Sequence, residues 1–435
     1  MNLSTLQRTI ESTESIRIRG KVSQMLGLVI ESNGPPVSIG ELCQISPAPG
    51  VAPVNAEVVG FKQNKVLLMP LGPMEGIAPG SQVTASDEPF SVAAGDALLG
   101  RVLNGLGEPM DGKGSIWTES RRPVSALPPD PLQRQRITEP LGTGIRAIDS
   151  MITCGKGQRA GIFAGSGVGK SVLLGMIARN AESDVNVIAL IGERGREVRD
   201  FIERDLGPEG LARSVVIVAT SDQPALVRIK GAQVATAIAE YFRDEGKDVM
   251  LMMDSVTRVA MAQREVGLAI GEPPTTRGYT PSTFAMLPRL LERAGMGEKG
   301  SVTGLYTVLV EGDDMDEPVA DAVRSILDGH IVLSRRLQAQ GHYPAIDVLD
   351  SVSRVMVNVV SSEHNEQANR VRELLINYRE AEDLINVGAY QEGNNPQIDE
   401  AIRNVDQINT FLRQDIDEHI DFQGTEQQLM TLLGT

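Results

Sequence analysis

The segment 161–171 restricts the possible folds of this chain more than any other. It reads GIFAGSGVGKS: an apolar run, a bend with glycines at Gly165, Gly167 and Gly169, and then Lys170 and Ser171. Residues 172–178 follow with the apolar spacing of a helix. A strand, a glycine-rich loop and a helix in this order are typical of a phosphate-binding loop in an α/β fold. A glycine turn that precedes a lysine by chance is the weaker interpretation.

Each residue type in this loop has a chemical reason to be there. Backbone N–H groups at the positive end of a helix bind polyphosphate, Lys170 can reach the β- and γ-phosphates, and the Ser171 hydroxyl can ligate Mg²⁺. The first motif position is Ala164 instead of glycine, which the loop tolerates if that residue does not need a positive φ. The loop residues predicted to bind a nucleotide are Ala164, Gly165, Ser166, Gly167, Val168, Gly169, Lys170, Ser171 and Val172.

Length and charge limit the class of protein. A chain of 435 residues is too long for one core and predicts two or three domains, and a net charge of −16 argues against a general nucleic-acid binder. Cys43 and Cys154 are far apart and lack the spacing of a zinc site, so both are predicted to be buried apolar residues. The sequence has no long apolar run and a polar start, so we expect a cytoplasmic protein that reaches a membrane only through partners.

The first 92 residues predict a small closed β-barrel, because short alternating strands are separated by glycine, proline and asparagine turns. This part carries six Lys/Arg, eight Asp/Glu and only two aromatics, Phe61 and Phe90, which disfavours a stacking platform for nucleic acid. Ahead of it, Leu3, Leu6 and Ile10 have helical spacing, which fits either a frayed helix or a partner-docking helix. A glycine- and proline-rich connector is predicted at 93–135.

The rest of the chain divides into two further parts. Between 136 and 360, apolar runs at 159–164, 185–191, 214–219, 248–254 and 304–310 alternate with helical patterns, which predicts a mainly parallel α/β sheet. From 361 to 435 the pattern is helical, with a break at Gly388 and Gly393. Ligands of parallel sheets bind beyond the carboxyl ends of the strands, so the strand-ending residues are the candidates for chemistry.

Two carboxylates end such runs. Asp254 closes the run 249–253, where it can hold Mg²⁺ through the water shell of the ion, although it could also cap the next helix. Glu193 follows the run 187–192 and can orient the water that attacks a γ-phosphate. A surface ion pair between Glu193 and Arg194 is the alternative.

Other candidates depend on charge and ring chemistry. An arginine supplied from outside the pocket stabilises the transition state of phosphoryl transfer, and Arg354 and Arg258 are the best placed by type, without a choice between them. Tyr343 can stack on adenine, whereas a buried core tyrosine is the default interpretation. The four histidines are scattered and do not support a histidine-based triad.

With these pieces together, the chain resembles the hexameric ATPase family that includes the catalytic subunits of rotary ATP synthases. Within it, the resemblance is strongest to the ATPases of bacterial type III protein export in their flagellar form, and it covers nearly the whole chain. Its strings are GSGVGKS (165–171), IGERGRE (191–197), MDSVTR (253–258), GEPPTTRGY (271–279), EGDDM (311–315) and HYPAIDVLDSVSR (342–354). GELC (40–43), VLLMPLG (66–72) and GRVLNGLG (100–107) resemble the export branch.

The resemblance implies an N-terminal β-barrel, a RecA-like P-loop ATPase domain and a C-terminal helical domain. It also implies that Glu193 activates the water, Asp254 is the metal carboxylate and Tyr343 stacks on adenine. Arg354 would be the finger that reaches the site of a neighbouring subunit, with Arg194 and Arg258 as braces. The implied ligands are ATP and Mg²⁺. The implied assembly is a homohexamer at the cytoplasmic face of the inner-membrane export apparatus, with stalk-like and stator-like proteins, the export gate and chaperone–substrate complexes as partners.

Four alternatives remain open from the sequence. The ATPase of a virulence injectisome shares every catalytic motif. A rotary ATP synthase catalytic subunit needs a second chain in its ring. A nucleotide-binding structural subunit would lack the base, and Glu193 weighs against it. A hexameric RNA translocase shares the central fold, but the acidic, aromatic-poor barrel disfavours it. The second wall of the adenine slot is not predicted.

Overall fold

The computed structural model describes residues 18–47, 50–310, 312 and 314–433. Within them the chain forms a β-barrel, a central α/β domain and a set of C-terminal helices, so the predicted fold class is confirmed. The helical spacing predicted at Leu3, Leu6 and Ile10 lies outside the described residues, as do Glu311 and Asp313 of the EGDDM string. No helix of the described residues is long and apolar enough to cross a membrane.

The barrel is built by antiparallel strands whose apolar side chains fill a common core. They are β1 (Arg19–Leu26), β2 (Val29–Asn33), β3 (Glu41–Ser46), β4 (Val54–Lys62), β5 (Lys65–Pro70) and β6 (Gln82–Pro89). Their order is β1-β2-β5-β4-β3-β6, and β6 pairs back onto β1, which removes the free edges. A turn at Gly27, which has a φ of 58°, joins β1 to β2.

Two short strands follow the barrel, and a third enters the central sheet. β7 (Ser91–Ala94) pairs with β9 (Ser120–Pro123), while β8 (Arg101–Asn104) runs parallel to the sheet strand at 214–219. Part of the segment 93–135, predicted as a connector, is therefore an edge strand of the central domain.

The central sheet is mainly parallel, as predicted. Its further strands are β10 (Arg159–Ala164), β11 (Val185–Ile191), β12 (Ser214–Ala219), β13 (Asp248–Asp254), β14 (Gly295–Met296), β15 (Ser301–Leu309), β16 (Gly329–Leu333) and β17 (Ile346–Ser353). The order is β17-β16-β10-β15-β13-β11-β12-β8, and β14 pairs beside β15. β11 and β12 are buried along their whole length, which explains their continuous apolar sequence. β17 is antiparallel to β16.

Helices cover both faces of this sheet and form the C-terminal part of the chain. Those of the central domain are α1 (Arg146–Met151), α2 (Lys170–Asn180), α3 (Gly195–Asp200), α4 (Gly207–Ala212), α5 (Ala225–Asp244), α6 (Val256–Ile270), α7 (Pro281–Leu291), α8 (Pro318–Ile326), α9 (Arg335–Ala339) and α10 (Met356–Val359). A π-helical segment, Phe201–Leu206, joins α3 to α4. The C-terminal helices are α11 (Ser362–Asn386), α12 (Pro396–Leu412) and α13 (Phe422–Thr431). The predicted break at Gly388 and Gly393 lies between α11 and α12.

A buried ion pair joins the barrel to the central domain. Lys230 of α5 lies 2.5 Å from the Glu57 carboxylate of β4, and both residues are at least nine-tenths buried. The apolar side chains around it come from both domains, including Leu67 and Met69 of the barrel and Ile229 of α5. A buried pair of this kind tolerates little displacement, because separating the partners leaves a charge without a counter-ion. The barrel is thereby held against the helix that packs on β11 and β13.

Candidate functional site

The glycine-rich loop lies between β10 and α2, as the sequence predicted. Ala164 is the last residue of β10 and is buried, and it is not among the residues with positive φ. Gly167 and Gly169 have φ values of 83° and 92°, a region that residues with a Cβ rarely adopt. The backbone amides of the loop are thus presented at the start of α2, where the helix dipole favours an anion. Alanine at the first motif position fits this geometry.

The predicted carboxylates converge on Lys170. The Lys170 ammonium donates a hydrogen bond to Asp254 and lies 3.6 Å from Oε1 of Glu193. Asp254 ends β13 and is buried, and the Thr307 hydroxyl of β15 donates to its Oδ1 at 2.7 Å. The helix after Asp254 is capped by Ser255, whose hydroxyl accepts from the backbone N–H of Arg258, so capping does not explain the aspartate.

Glu193 carries an unusual proton affinity. Burial, and after it the negative charge of Asp254, raise the pKa of Glu193 to about 7, while Lys170 acts in the opposite direction. The Glu197 carboxylate shares a hydrogen bond with Glu193, which lowers the pKa of Glu197. A carboxyl group that titrates near neutral pH is suited to accept a proton from water. The sequence indicated Glu193 but had no signal for the participation of Glu197.

The two arginines beside this group differ in position. Arg194 has an 80 % exposed side chain and lies 3.8 Å from Glu197, so it does not form the surface pair with Glu193 that was the alternative interpretation. Arg258 lines the cleft, and its buried Nε has no hydrogen-bond partner among the described residues. The cleft has a volume of about 570 Å³ and also contains Arg335, which the sequence did not indicate.

The oxygen donors in this cleft fit Mg²⁺ bound together with a nucleotide. Ser171 is exposed at the start of α2 and lines the cleft, and the buried Asp254 carboxylate accepts a hydrogen bond from the adjacent residue, Lys170. No group of three or more His, Cys, Asp or Glu side chains among the described residues could hold a metal ion by itself. Mg²⁺ normally takes one or two protein oxygens and completes its shell with phosphates and waters. Ser171 and Asp254 would supply these few protein oxygens.

Next to the loop lies an apolar slot of about 290 Å³. Tyr343 is 48 % exposed and lines this slot, so it is not a core tyrosine. Val172 of α2 also lines it, as does the segment after α12, namely Gln414, Asp415 and Ile416. The backbone N–H of Gln414 donates to the Tyr343 carbonyl at 2.9 Å, which ties the two walls together. A flat apolar slot beside a phosphate loop suits a purine ring.

Arg354 lies far from this cleft in the same chain. It follows the last residue of β17, and its backbone N–H donates to the Asp328 carbonyl at 2.9 Å. The adjacent Ser353 pairs with Gly329, which pairs with Ala160 near the start of β10, whereas the loop begins after Ala164 at the end of that strand. At about 3.3 Å per residue, at least ~13 Å of strand separates the level of Ala160, beside Arg354, from Ala164, where the loop begins.

Comparison with known proteins extends over almost the whole chain. Residues 144–353 match the nucleotide-binding domain of the ATP synthase alpha/beta family, residues 22–87 match the beta-barrel domain of that family, and residues 360–431 match the T3SS EscN ATPase C-terminal domain. These matches assign the three structural parts of the molecule to one family.

Individual relatives agree with this assignment. The chain is 57% identical to the flagellum-specific ATP synthase of Bacillus subtilis, over 100% of this chain and 99% of that protein. It is 52% identical to a type 3 secretion system ATPase of Xanthomonas euvesicatoria, over 99% of this chain and 97% of the relative. The structure of the assembled ATPase EscN from enteropathogenic E. coli superposes with a TM-score of 0.90 and 47% identity, covering 95% of this chain and 100% of EscN.

The resemblance inferred from the sequence strings is therefore confirmed. The chain matches three family domains in the expected order and has full-length relatives above 50% identity. These matches exclude an unrelated P-loop family. The chain belongs to the ATP synthase alpha/beta family, in the branch of the flagellum-specific and type III secretion ATPases.

Proposed function

We propose that this chain hydrolyses ATP in a homohexameric ring and that hydrolysis supports type III export of flagellar proteins, by releasing substrates from chaperones and unfolding them. The observation that supports this proposal most is that the catalytic residues are divided between two places. Lys170 of the loop lies beside Glu193 and Asp254, while Arg354 lies at the opposite end of the sheet. A complete site then needs the Arg354 of a neighbouring chain. A ring of identical chains satisfies this requirement at every interface.

In the proposed reaction a water attacks the γ-phosphorus of ATP, the bond to the β–γ bridging oxygen breaks, and ADP and phosphate leave. Glu193 accepts the proton of the water, since its raised pKa suits a base at neutral pH. Lys170 exchanges its carboxylate partners for phosphate oxygens and neutralises their charge. Ser171, and Asp254 through water, would hold Mg²⁺, which would supply positive charge beside the phosphates. Arg354 of the neighbour stabilises the charge of the transition state.

The nucleotide base would be held in the apolar slot between Tyr343 and the segment 414–416. Since that segment follows α12, closure of the slot on a base connects nucleotide binding to the C-terminal helices. Arg194 and Arg258 would brace the phosphate end of the same cleft.

The assembly and partners follow from the relatives. EscN has been solved in an assembled form and in complex with its central stalk EscO, and the latter structure superposes with a TM-score of 0.88. By analogy, the ring formed by this chain would bind a stalk-like protein, together with a stator-like protein, the export gate and chaperone–substrate complexes. It would work at the cytoplasmic face of the inner membrane and without nucleic acid.

A virulence injectisome is the second candidate system. The 52% identity to the Xanthomonas type 3 secretion system ATPase and the match to the EscN C-terminal domain favour it, whereas the 57% identity to the Bacillus flagellar protein favours the flagellum. Expression of the chain in strains that lack either the flagellar or the injectisome ATPase separates the two. Restored swimming supports the flagellar assignment, and restored secretion without swimming contradicts it.

The proposed function is tested by the ATPase rate per chain against protein concentration, with the size of the particle measured in parallel. We expect the rate to rise steeply as a homohexamer appears in the presence of ATP and Mg²⁺. A constant rate from a monomer would remove Arg354 from the reaction. Tight nucleotide binding without turnover would instead identify a structural nucleotide-binding subunit.

A further inference from the structure

The short helix α9 brings a cation to the glycine-rich loop from within the same chain. It begins after β16, whose last residue, Leu333, pairs in parallel with Ala164, the last residue of β10. The Ser334 side chain caps α9 by accepting a hydrogen bond from the backbone N–H of Leu337. Arg335 is therefore only two residues beyond the end of the strand beside the loop strand, and both strand ends open toward the same cleft.

Arg335 lies directly over the backbone of the loop. A Cβ built on Gly165 would be 2.7 Å from Nη2 and 2.8 Å from Nε of Arg335, so the guanidinium occupies the space where a side chain would stand. From the same helix, Nε2 of Gln338 donates to the Gly167 carbonyl at 2.8 Å. Two side chains of α9 thus contact the loop. Gly165 is not among the glycines with positive φ, so its lack of a Cβ matters here only for this close approach of the flexible Arg335 side chain.

The charges in the cleft show what a further cation contributes beside Lys170, Arg194 and Arg258. Lys170 is engaged by Asp254 and lies beside Glu193, while the finger candidate Arg354 is at the far end of the sheet. The polyphosphate of ATP carries several negative charges, more than one ammonium group neutralises. Arg335 is exposed and lines the same cleft, and its planar guanidinium has the geometry for paired hydrogen bonds to phosphate oxygens.

We propose that Arg335 is a phosphate-contacting residue for the nucleotide bound by its own chain, in addition to Lys170 and to the arginine from the neighbour. This inference rests on the proposed ATPase function and concerns the same cleft. It assigns to α9 two separate tasks: Arg335 binds the polyphosphate, and Gln338 positions the loop.

The test measures binding of ATP and of inorganic tripolyphosphate to the full chain with Arg335→Gln, Arg335→Lys and Gln338→Ala. We expect Arg335→Gln to weaken both ligands about tenfold or more, with a smaller loss at high salt, and Arg335→Lys to recover part of the affinity. Tripolyphosphate has no adenine, so weaker binding of tripolyphosphate to the variant locates the contact on the phosphates. Equal losses in Arg335→Gln and Gln338→Ala would show that Arg335 only positions the loop and would overturn the proposal.

Arg336→Gln is the matched control. Arg336 is the next residue of α9, but it points to the C-terminal helices, where its Nη1 donates to Glu382 of α11 at 2.9 Å. We expect wild-type affinity for tripolyphosphate in this variant. Unchanged binding in Arg335→Gln, with wild-type chain that hydrolyses ATP, would refute this inference alone. A wild-type chain that neither binds nor hydrolyses ATP would instead refute the proposed function.

Discussion

The two ends of β17 serve different parts of the proposed reaction. Tyr343 precedes the strand and lines the apolar slot beside the glycine-rich loop, whereas Arg354 follows the strand and lies at the other end of the sheet. Because β17 runs antiparallel to β16, its first residue lies at the edge where the parallel strands end, and its last residue lies at the opposite edge. One chain therefore presents two incomplete half-sites. In the proposed reaction, the end with the loop binds the nucleotide and activates the water, and the end with Arg354 acts on the cleft of a neighbouring chain.

This difference shows how a ring can couple its subunits. Arg354 is fixed to the same strand as Tyr343, and the backbone N–H of Arg354 is bonded to the Asp328 carbonyl ahead of β16. A movement of β17 when a nucleotide enters the slot would be carried along the strand to the finger at the next interface. Rigid elements of this kind transmit a local change because a packed sheet deforms little.

The largest expected effect comes from the Arg354 end. Arg354→Ala should keep nucleotide binding in its own cleft and lower kcat about 10³–10⁵-fold, the range seen when an arginine finger is missing. Mixing it with Lys170→Ala chains should restore part of the activity, because some interfaces then pair an intact cleft with an intact arginine. Steady-state rates of defined mixtures measure this. No recovery in mixed rings would mean that Arg354 does not act between chains.

At the loop end, Glu193→Gln should lower kcat about 10²–10⁴-fold, because the amide fills the same space but does not accept a proton. ATP binding should persist, and even strengthen slightly, since one negative charge is removed beside the phosphates. Single-turnover hydrolysis and ATP affinity are measured on the same preparation. Glu197→Gln is the control, as it removes the neighbouring carboxylate and leaves the base in place. Normal turnover in Glu193→Gln would contradict the assignment of Glu193 as the base.

The smallest effect is the dependence of the loop end on pH. The pKa of Glu193 is raised to about 7 by burial and by Asp254, so the carboxyl is protonated, and inactive as a base, below that pH. With saturating ATP, kcat should rise about tenfold per pH unit below 7 and level off above it. ATP affinity should not rise with pH, since deprotonation adds negative charge to the cleft. A kcat that is flat from pH 5.5 to 8, roughly spanning the Glu193 titration, would contradict this role.

The sequence predicted the inner strands of the central sheet well and its outer strands poorly. β10, β11, β12 and β13 have the bounds expected from their apolar runs, because strands buried on both faces carry few polar residues. β16 and β17 were not predicted. β16 alternates buried and half-buried residues, and β17 mixes three buried residues at its start with exposed Asp350 and Val352, so neither gives a continuous apolar run.

The candidate site shows the same division. The glycine-rich loop and the strand-ending Glu193 and Asp254 were predicted because each is defined by its position after an apolar run. Arg335 and the segment 414–416 gave no such signal. They lie about 170 and about 245 residues after the loop in the sequence. Only the packing of α9 and of the residues after α12 brings them next to it.

By itself, the sequence determined that this chain has a phosphate-binding loop in a parallel α/β sheet, because strand, glycine bend and helix are local features with a fixed order. It could not choose between Arg258 and Arg354 as the finger without a family resemblance. The tertiary structure separates the two arginines by position. Arg258 lines the cleft of its own chain, whereas Arg354 lies a strand length away from it. The reason is strand pairing, which places residues by register and direction and not by their distance in sequence.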